Sequence, residues 1–279
     1  MREKWKLART AISESTHTSK IDKKRYSDDK MKLVKISAFD LPDAWYQVLK
    51  KIWEEGESFT VGYGSETKDT KKLDITLEVL HPENRPLIHE KAPCDMQYVM
   101  NYAMEYLWFG EKKPDETYTY SSRLRRPVDQ IEGAINRYVD EIFDRQVTLV
   151  VRVPEDIHKK IGGKRHEPPC LTMLDTEITR DESDKQLKFT LVGYWRSWDA
   201  YGALPANLAG LQLFSEAFVK ELNVRGRERH GARWEEVYTG QMLMYSKNCH
   251  IYQRQFQLIE ELLNCLLYTS DAADEEDSV

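Results

Sequence analysis

Cysteine is scarce in this chain, and the little there is forms no framework. Four thiols, at positions 94, 170, 249 and 265, show neither a CxxC pair nor disulfide spacing. That excludes a zinc ribbon or a stapled secreted scaffold and leaves a reducing compartment, the cytoplasm, as the expectation. Long apolar runs are missing too. None reaches the roughly 18 residues of a membrane span, and the basic N-terminus is not followed by the apolar stretch of a secretory signal. Charge of one sign is not in excess: 41 Lys and Arg stand against 47 Asp and Glu, a formal net charge of −6. A nucleic-acid binder needs a basic field that this chain lacks, so any anion site must be local, built from a few converging arginines. What is present is a 41% hydrophobic and 11% aromatic composition over 279 residues, enough for one sizeable core.

Residues 1–30 are polar and aperiodic and are expected to be a disordered extension, with the folded domain spanning 31–266. The acidic, aperiodic end, 267–279, reads as a non-native-looking tail. From Met31, MKLVKISAFDLPDAWYQVL gives a short strand and then a helix with Pro42 in its first turn. Leu41, Trp45, Val48, Leu49 and Ile52 recur at helical spacing before Gly56 closes the element. LDITLEVL (73–80) alternates as a strand, 97–109 is an apolar helix, and another helix follows at about 128–142. Further strands are expected at 147–153, Leu171–Thr179, Leu187–Trp198 and Val237–Ser246, with helices at Leu204–Leu222 and Tyr252–Leu263. This alternation predicts an α/β or mixed α+β domain.

Four segments carry chemistry. In RHEPPCLTM, two prolines hold the chain extended before Cys170, and Arg165 and His166 nearby can favour a partial thiolate. In YWRSWDAYGALPANLAG, Arg196, Ser197 and Asp199 cluster at a strand end and Asn207 lies in the first turn of the next helix. Arg offers a planar fork to phosphate, and Asn both donates and accepts, as a pyrimidine edge requires. In NCHIYQRQF, His250 and Tyr252 flank Ile251, so an extended backbone turns both to one face, where they can grip one hydroxyl. Glu105 interrupts the apolar helix, and a carboxylate on a buried face costs several kcal/mol unless paired. Singly, each has an ordinary explanation: a packed thiol, a strand-to-helix turn, a core histidine, an outward glutamate.

In order along the chain, however, these segments resemble the thymidylate synthase family, and its short archaeal branch in particular. EYLWF (105–109), PPC (168–170), RSWD with LPAN (196–207) and HIY (250–252) stand where the family has its glutamate helix, nucleophile, phosphate segment and ribose-binding pair. VDQIEGAI from Val128 and DRQVTLVV around Arg145 match two further blocks, so the likeness runs roughly from Met31 to Leu263. It implies the thymidylate synthase fold, a twisted mixed sheet backed by helices, with sheets stacked across a homodimer. It implies reductive methylation of dUMP, with 5,10-methylenetetrahydrofolate or methylene-tetrahydromethanopterin as the reduced pterin. Cys170 would add to C6 of the pyrimidine. Arg196 and Ser197 would hold the phosphate, and Asn207 would read the uracil edge. His250 and Tyr252 would hold the 3′-hydroxyl. Glu105 would organise water around the methylene donor, Asp199 would meet the pterin, and Tyr120 would assist proton transfer. Arg145 would reach the phosphate of the neighbouring subunit.

Departures from the family pattern are equally plain. Leu171 stands where His usually follows the nucleophile, Trp195 replaces the Gln before the Arg-Ser pair, and Gln146 replaces one of two paired arginines. The glycine-rich VGYGSE segment lacks the family's arginine. Two rival functions follow: a pyrimidine nucleotide hydroxymethylase of the same fold, and a non-catalytic nucleotide- or RNA-binding relative. The resemblance implies uracil rather than cytosine, because cytosine-specific relatives tend to carry Asp where Asn207 stands, and retention of Cys170 with Glu105 and Arg196 disfavours the second.

Overall fold

The first strand and helix follow from local chemistry. A computed structural model describes residues 32–63, 66–114, 116–158, 160–161 and 164–264. The expected disordered extension and acidic tail lie outside these residues. β1 (Leu33–Ala38) leads into α1 (Leu41–Glu55), where the Asp40 side chain accepts from the Asp43 N–H and caps the helix. Leu41, Ala44, Trp45, Val48, Leu49 and Ile52 form its buried face. Gly56 ends the helix because its N–H bonds back to the Ile52 carbonyl at 2.9 Å. A Cβ there would lie 2.3 Å from that same oxygen, so no larger residue fits.

An eight-stranded mixed sheet forms the framework. Its main path runs β1, β3 (Glu66–Val79), β10 (Val237–Tyr252), β8 (Leu187–Trp195), β7 (Leu171–Arg180) and β4 (Thr148–Val150). β2 (Glu57–Tyr63) pairs with β3, and the two-residue β9 (Trp198–Asp199) pairs with β10. β5 (Lys160–Ile161) and β6 (Lys164–Arg165) form a separate small hairpin. The β8 positions alternate strictly between buried and half-buried, placing Leu187, Phe189, Leu191 and Trp195 in the core.

The long helix α5 (Leu204–His230) packs into that core, with Pro205 in its first turn and Gly231, at φ 59°, ending it. Two of its glycines are close-approach positions. A Cβ on Gly210 would lie 2.4 Å from the Tyr102 ring, and one on Gly226 would lie 2.1 Å from Trp234. α4 (Gln130–Asp140) lies beside it, and α3 (Tyr120–Arg125) and α6 (residues 256–264) complete the helices. Among the described residues no helix is long and apolar enough to cross a membrane.

Several expectations are corrected in detail. The helix expected over 97–109 is α-helical only through α2 (Met96–Asn101); Tyr102–Trp108 is wound as a π-helix. Phe109 N–H bonds Met104 O at 3.0 Å, five residues back. The strand expected at 147–153 keeps three residues, because Val151 and Arg152 both turn their N–H groups to the Thr172 carbonyl. α5 runs eight residues beyond Leu222, and β10 continues past Ser246 through a bulge to Tyr252. That bulge delivers His250 and Tyr252 as strand residues beside β9 and β3.

Candidate active site

Cys170 sits just before β7, beside the segment that leaves β8. The Arg196 N–H donates to the Cys170 carbonyl at 2.9 Å. The Arg196 guanidinium then closes over the two residues before the thiol. Nε donates to Pro169 O at 2.8 Å and Nη2 to Pro168 O at 2.7 Å, leaving Nη2 3.7 Å from Cys170 Sγ. Pro168 and Pro169 lie outside any strand, so their carbonyls have no ladder partner, and one planar fork serves both.

Burial pushes the half-buried Cys170 thiol up from its ordinary value, Arg196 offsets part of the rise, and Glu167 adds to it. Burial thus works against the expected partial thiolate, and Arg196 works for it. His166 does not act on it. His166 Nε2 lies 2.7 Å from Asp156 Oδ1, Arg123 Nη2 donates to the same oxygen at 3.1 Å, and Val153 N–H donates to Asp156 Oδ2. The Asp156 and His166 side chains are 0% and 4% exposed, a buried brace for the loop that ends in Cys170. The side chain of Arg165 lies outside the described residues. Nothing in the sequence around Asp156 signals this role, since its partners lie ten residues downstream and in α3.

Aromatic rings wall the thiol. Tyr120, 7% exposed, accepts from the Leu171 N–H at 3.4 Å, which sets its hydroxyl at the peptide following Cys170. Its ring meets Tyr106 edge-on at 5.0 Å, Tyr118 in a stack at 6.2 Å and Trp195 edge-on at 6.2 Å. Burial, then repulsion from a Cys170 thiolate, holds Tyr120 well above the ordinary phenol range, and burial pushes Tyr106 up to about 12. Trp195 and Trp198 stack face to face, 4.5 Å apart and 3° from parallel. Trp198 Nε1 donates to Asn207 Oδ1 at 2.9 Å, tying the first turn of α5 to β9. The buried Tyr102 hydroxyl has no bonded partner, although the Asn207 amide offsets a little of its burial cost without reaching hydrogen-bond geometry.

The strand pairing brings a second group together. His250 lies opposite Asp199 in the β9–β10 ladder, and its ring meets Tyr252 edge-on at 4.8 Å, as two residues apart on one strand should. His250 Nδ1 donates to Asn248 O at 3.2 Å, which leaves Nε2 as an acceptor. Burial pulls the His250 pKa below its ordinary value, partly offset by Asn248 and Asp199. Asp199 Oδ1 accepts from the Tyr201 and Gly202 N–H groups at 3.2 and 2.9 Å, and from Gln255 Nε2 at 3.3 Å. Buried Gln255 also accepts from the Tyr252 N–H, so it ties Asp199 to the end of β10. It is a residue that sequence reasoning passes over.

Three expected residues stand apart. Glu105 is exposed on the π-helix, so its carboxylate does not carry the cost of a buried face. It lines a cleft of about 260 Å³ with Tyr106, Phe109, Lys112, Glu116 and Thr119. Ser197 is half-buried in the bend between β8 and β9. Arg145 is exposed in the loop before β4. The VGYGSE segment forms the β2–β3 hairpin, Tyr63 pairing with Glu66, with 64–65 outside the described residues.

No protein-family profile matches the chain. Curated archaeal relatives do. A protein of Methanosarcina mazei named "Putative thymidylate synthase" is 30% identical over 234 residues, covering 82% of this chain and 94% of that protein. The chain belongs to the thymidylate synthase family. Relatives of the same name in Methanosarcina acetivorans and Methanothermobacter marburgensis are 28% and 24% identical, covering 85% and 82% of this chain and 98% and 97% of theirs. Within this thymidylate synthase family member, the PPC, RSWD and HIY segments lie far apart in sequence. The β7–β8–β10 pairing gathers them at one end of the sheet.

Proposed function

We propose that this chain catalyses the reductive methylation of dUMP to dTMP through a covalent bond between Cys170 and the pyrimidine. The observation that carries the reading is the Arg196 clamp, which holds the thiol 3.7 Å from a guanidinium with two proline carbonyls fixed behind it. Cys170 Sγ adds to C6, and C5 becomes the carbon nucleophile. Burial favours the thiol at rest, and Arg196 supplies the counter-charge while the group is ionised. Arg196 and Ser197 bind the 5′-phosphate, and the Asn207 amide faces the uracil edge. His250, neutral with Nε2 unprotonated, accepts from the ribose 3′-hydroxyl that Tyr252 also contacts. Tyr120, held as a neutral phenol, relays a proton near C5.

The cleft beside Tyr106 is the candidate pterin site: Tyr106 and Phe109 line it among charged side chains, and Glu105 offers a carboxylate to ring N–H groups. When bound, the methylene-pterin supplies the carbon unit and the hydride. Asp199 meets its ring. Tetrahydrofolate and tetrahydromethanopterin forms share this chemistry. The acting species is a cytoplasmic homodimer in the thymidylate synthase fold. Its support is the sheet face opposite α5, where half-buried Val192, Tyr194, Leu243 and Tyr245 lie across β8 and β10 and Tyr194 stacks on Tyr245 at 5.1 Å. Asp74 lies near Tyr245, 6% exposed with Oδ2 unpaired, and burial raises its pKa.

The test is covalent capture. Incubation with 5-fluoro-dUMP and each reduced pterin in turn should add the mass of both to the Cys170 peptide. With 5-tritiated dUMP, tritium should be released and dTMP formed. An adduct on Cys94 or Cys249, or none with either pterin, sinks the proposal. A 5-hydroxymethyl product would assign the hydroxymethylase reaction instead.

A further inference from the structure

An asparagine amide cannot by itself choose between uracil and cytosine. Its carbonyl and its NH2 group are nearly the same size, so a half-turn exchanges acceptor and donor. In one orientation Oδ1 meets the uracil N3–H and Nδ2 meets O4. In the other, Oδ1 meets the cytosine amino group and Nδ2 meets the unprotonated N3. A site that uses Asn207 to discriminate must therefore fix the amide from behind.

Trp198 does this in the present chain. Its Nε1 donates to Asn207 Oδ1 at 2.9 Å, and an indole nitrogen is a donor only. Turning the amide over would set NH2 against N–H and leave a buried donor without a partner, which is the costly arrangement. The indole cannot retreat: it is 2% exposed, stacked on Trp195 at 4.5 Å, and carried by β9 in register with Cys249. The Tyr102 hydroxyl beside the amide can donate as well as accept and so favours neither orientation, and Trp195 is itself a donor whose Nε1 has no partner, so the choice falls to the Trp198 indole. The second lone pair of Oδ1 stays available for a base N–H.

We infer that Trp198 is the positioning residue that locks the Asn207 amide in the uracil-reading orientation and so makes the site reject cytosine. This rests on the proposed reading of the pocket as a pyrimidine nucleotide site. The experiment measures equilibrium binding of dUMP, dCMP and 2-deoxyribose 5-phosphate to the full chain and to Trp198→Phe. It also uses a full chain carrying β-(3-benzothienyl)alanine at position 198, which keeps the bicyclic stack and replaces N–H by sulfur, and which decides the matter should the Phe variant misfold. The expected result is a dUMP-to-dCMP preference that falls by about tenfold or more in both variants, while 2-deoxyribose 5-phosphate binding stays within about twofold. An unchanged preference, or equal weakening of both nucleotides, overturns the role of Trp198. If the unmodified chain captures 5-fluoro-dUMP on Cys170 yet its preference survives the loss of N–H, only this inference falls. If it binds neither nucleotide, the reading of the pocket falls with it.

Discussion

Cys170 and Arg196 are joined twice, through the Arg196 N–H on the Cys170 carbonyl at 2.9 Å and through the guanidinium 3.7 Å from Sγ. The backbone bond fixes where the thiol is. The side chain fixes its charge, pulling down a pKa that burial pushes up. Peptide-resolved alkylation with iodoacetamide should therefore show Cys170 titrating above the ordinary value of 9.0. Arg196→Gln should move the midpoint higher still and weaken phosphate binding by about 1.5–3 kcal/mol. A midpoint that stays put or falls in Arg196→Gln would show that the guanidinium does not act on the sulfur.

The Asp156 brace predicts a stability effect remote from the substrate. Asp156→Ala leaves Arg123 and His166 facing an emptied buried position and should cost about 3 kcal/mol or more. Asp156→Asn keeps the shape and one acceptor and should cost less. Thermal melts order the variants, and Cys170 alkylation reports the loop: it should be faster in Asp156→Ala because the chain before the thiol is no longer held. Melts that overlay that of the parent chain would remove Asp156 from the account.

How much of this was legible beforehand depended on the range of each contact. Pro42 and Gly56 mark α1 because helix-start and turn residues act within a few positions. The two prolines and Cys170, and the His250–Tyr252 spacing, were legible for the same reason. The π winding at Tyr102–Trp108 was not, because an apolar run has the same composition in either winding. Asp156, Gln255 and Trp198 were missed as site residues because their partners come from other elements, and no local pattern distinguishes a buried Asp in a loop. The β10 bulge between Ser246 and Cys249 likewise depends on what β3 and β9 place opposite it.

His250 predicts a pH dependence with a definite sign. Its pKa in the folded chain lies below the ordinary 6.5, so between those two values the unfolded chain binds more protons. Stability then rises with pH across that window. The contribution is complete above 6.5 and is lost as pH falls through the folded value. Denaturation midpoints measured on either side of 6.5 should fall on the acid side, and His250→Gln should show a smaller fall. Equal slopes in both proteins would mean that His250 titrates alike folded and unfolded.

Arg145 tests the dimer. β4 pairs with β7 so that Val150 faces Met173 and Thr148 faces Asp175. Arg145 lies three residues before β4, at the end of the β4–β7 pairing that runs away from Cys170. That placement fits an Arg145 that serves the phosphate of another subunit. Arg145→Ala and Cys170→Ser should each be inactive alone and regain activity when mixed, because in a heterodimer one site unites an intact Cys170 with an intact Arg145. Random exchange puts about half the dimers in that form with one of two sites working, so roughly a quarter of wild-type turnover should return. Gln146 sharpens the expectation, since a phosphate held by fewer cations depends more on each. The measurement is turnover after mixing the variants in mild denaturant and removing it, with exchange verified by mass. Full activity in Arg145→Ala alone ends the cross-subunit role, and so does an inactive mixture in which exchange has occurred.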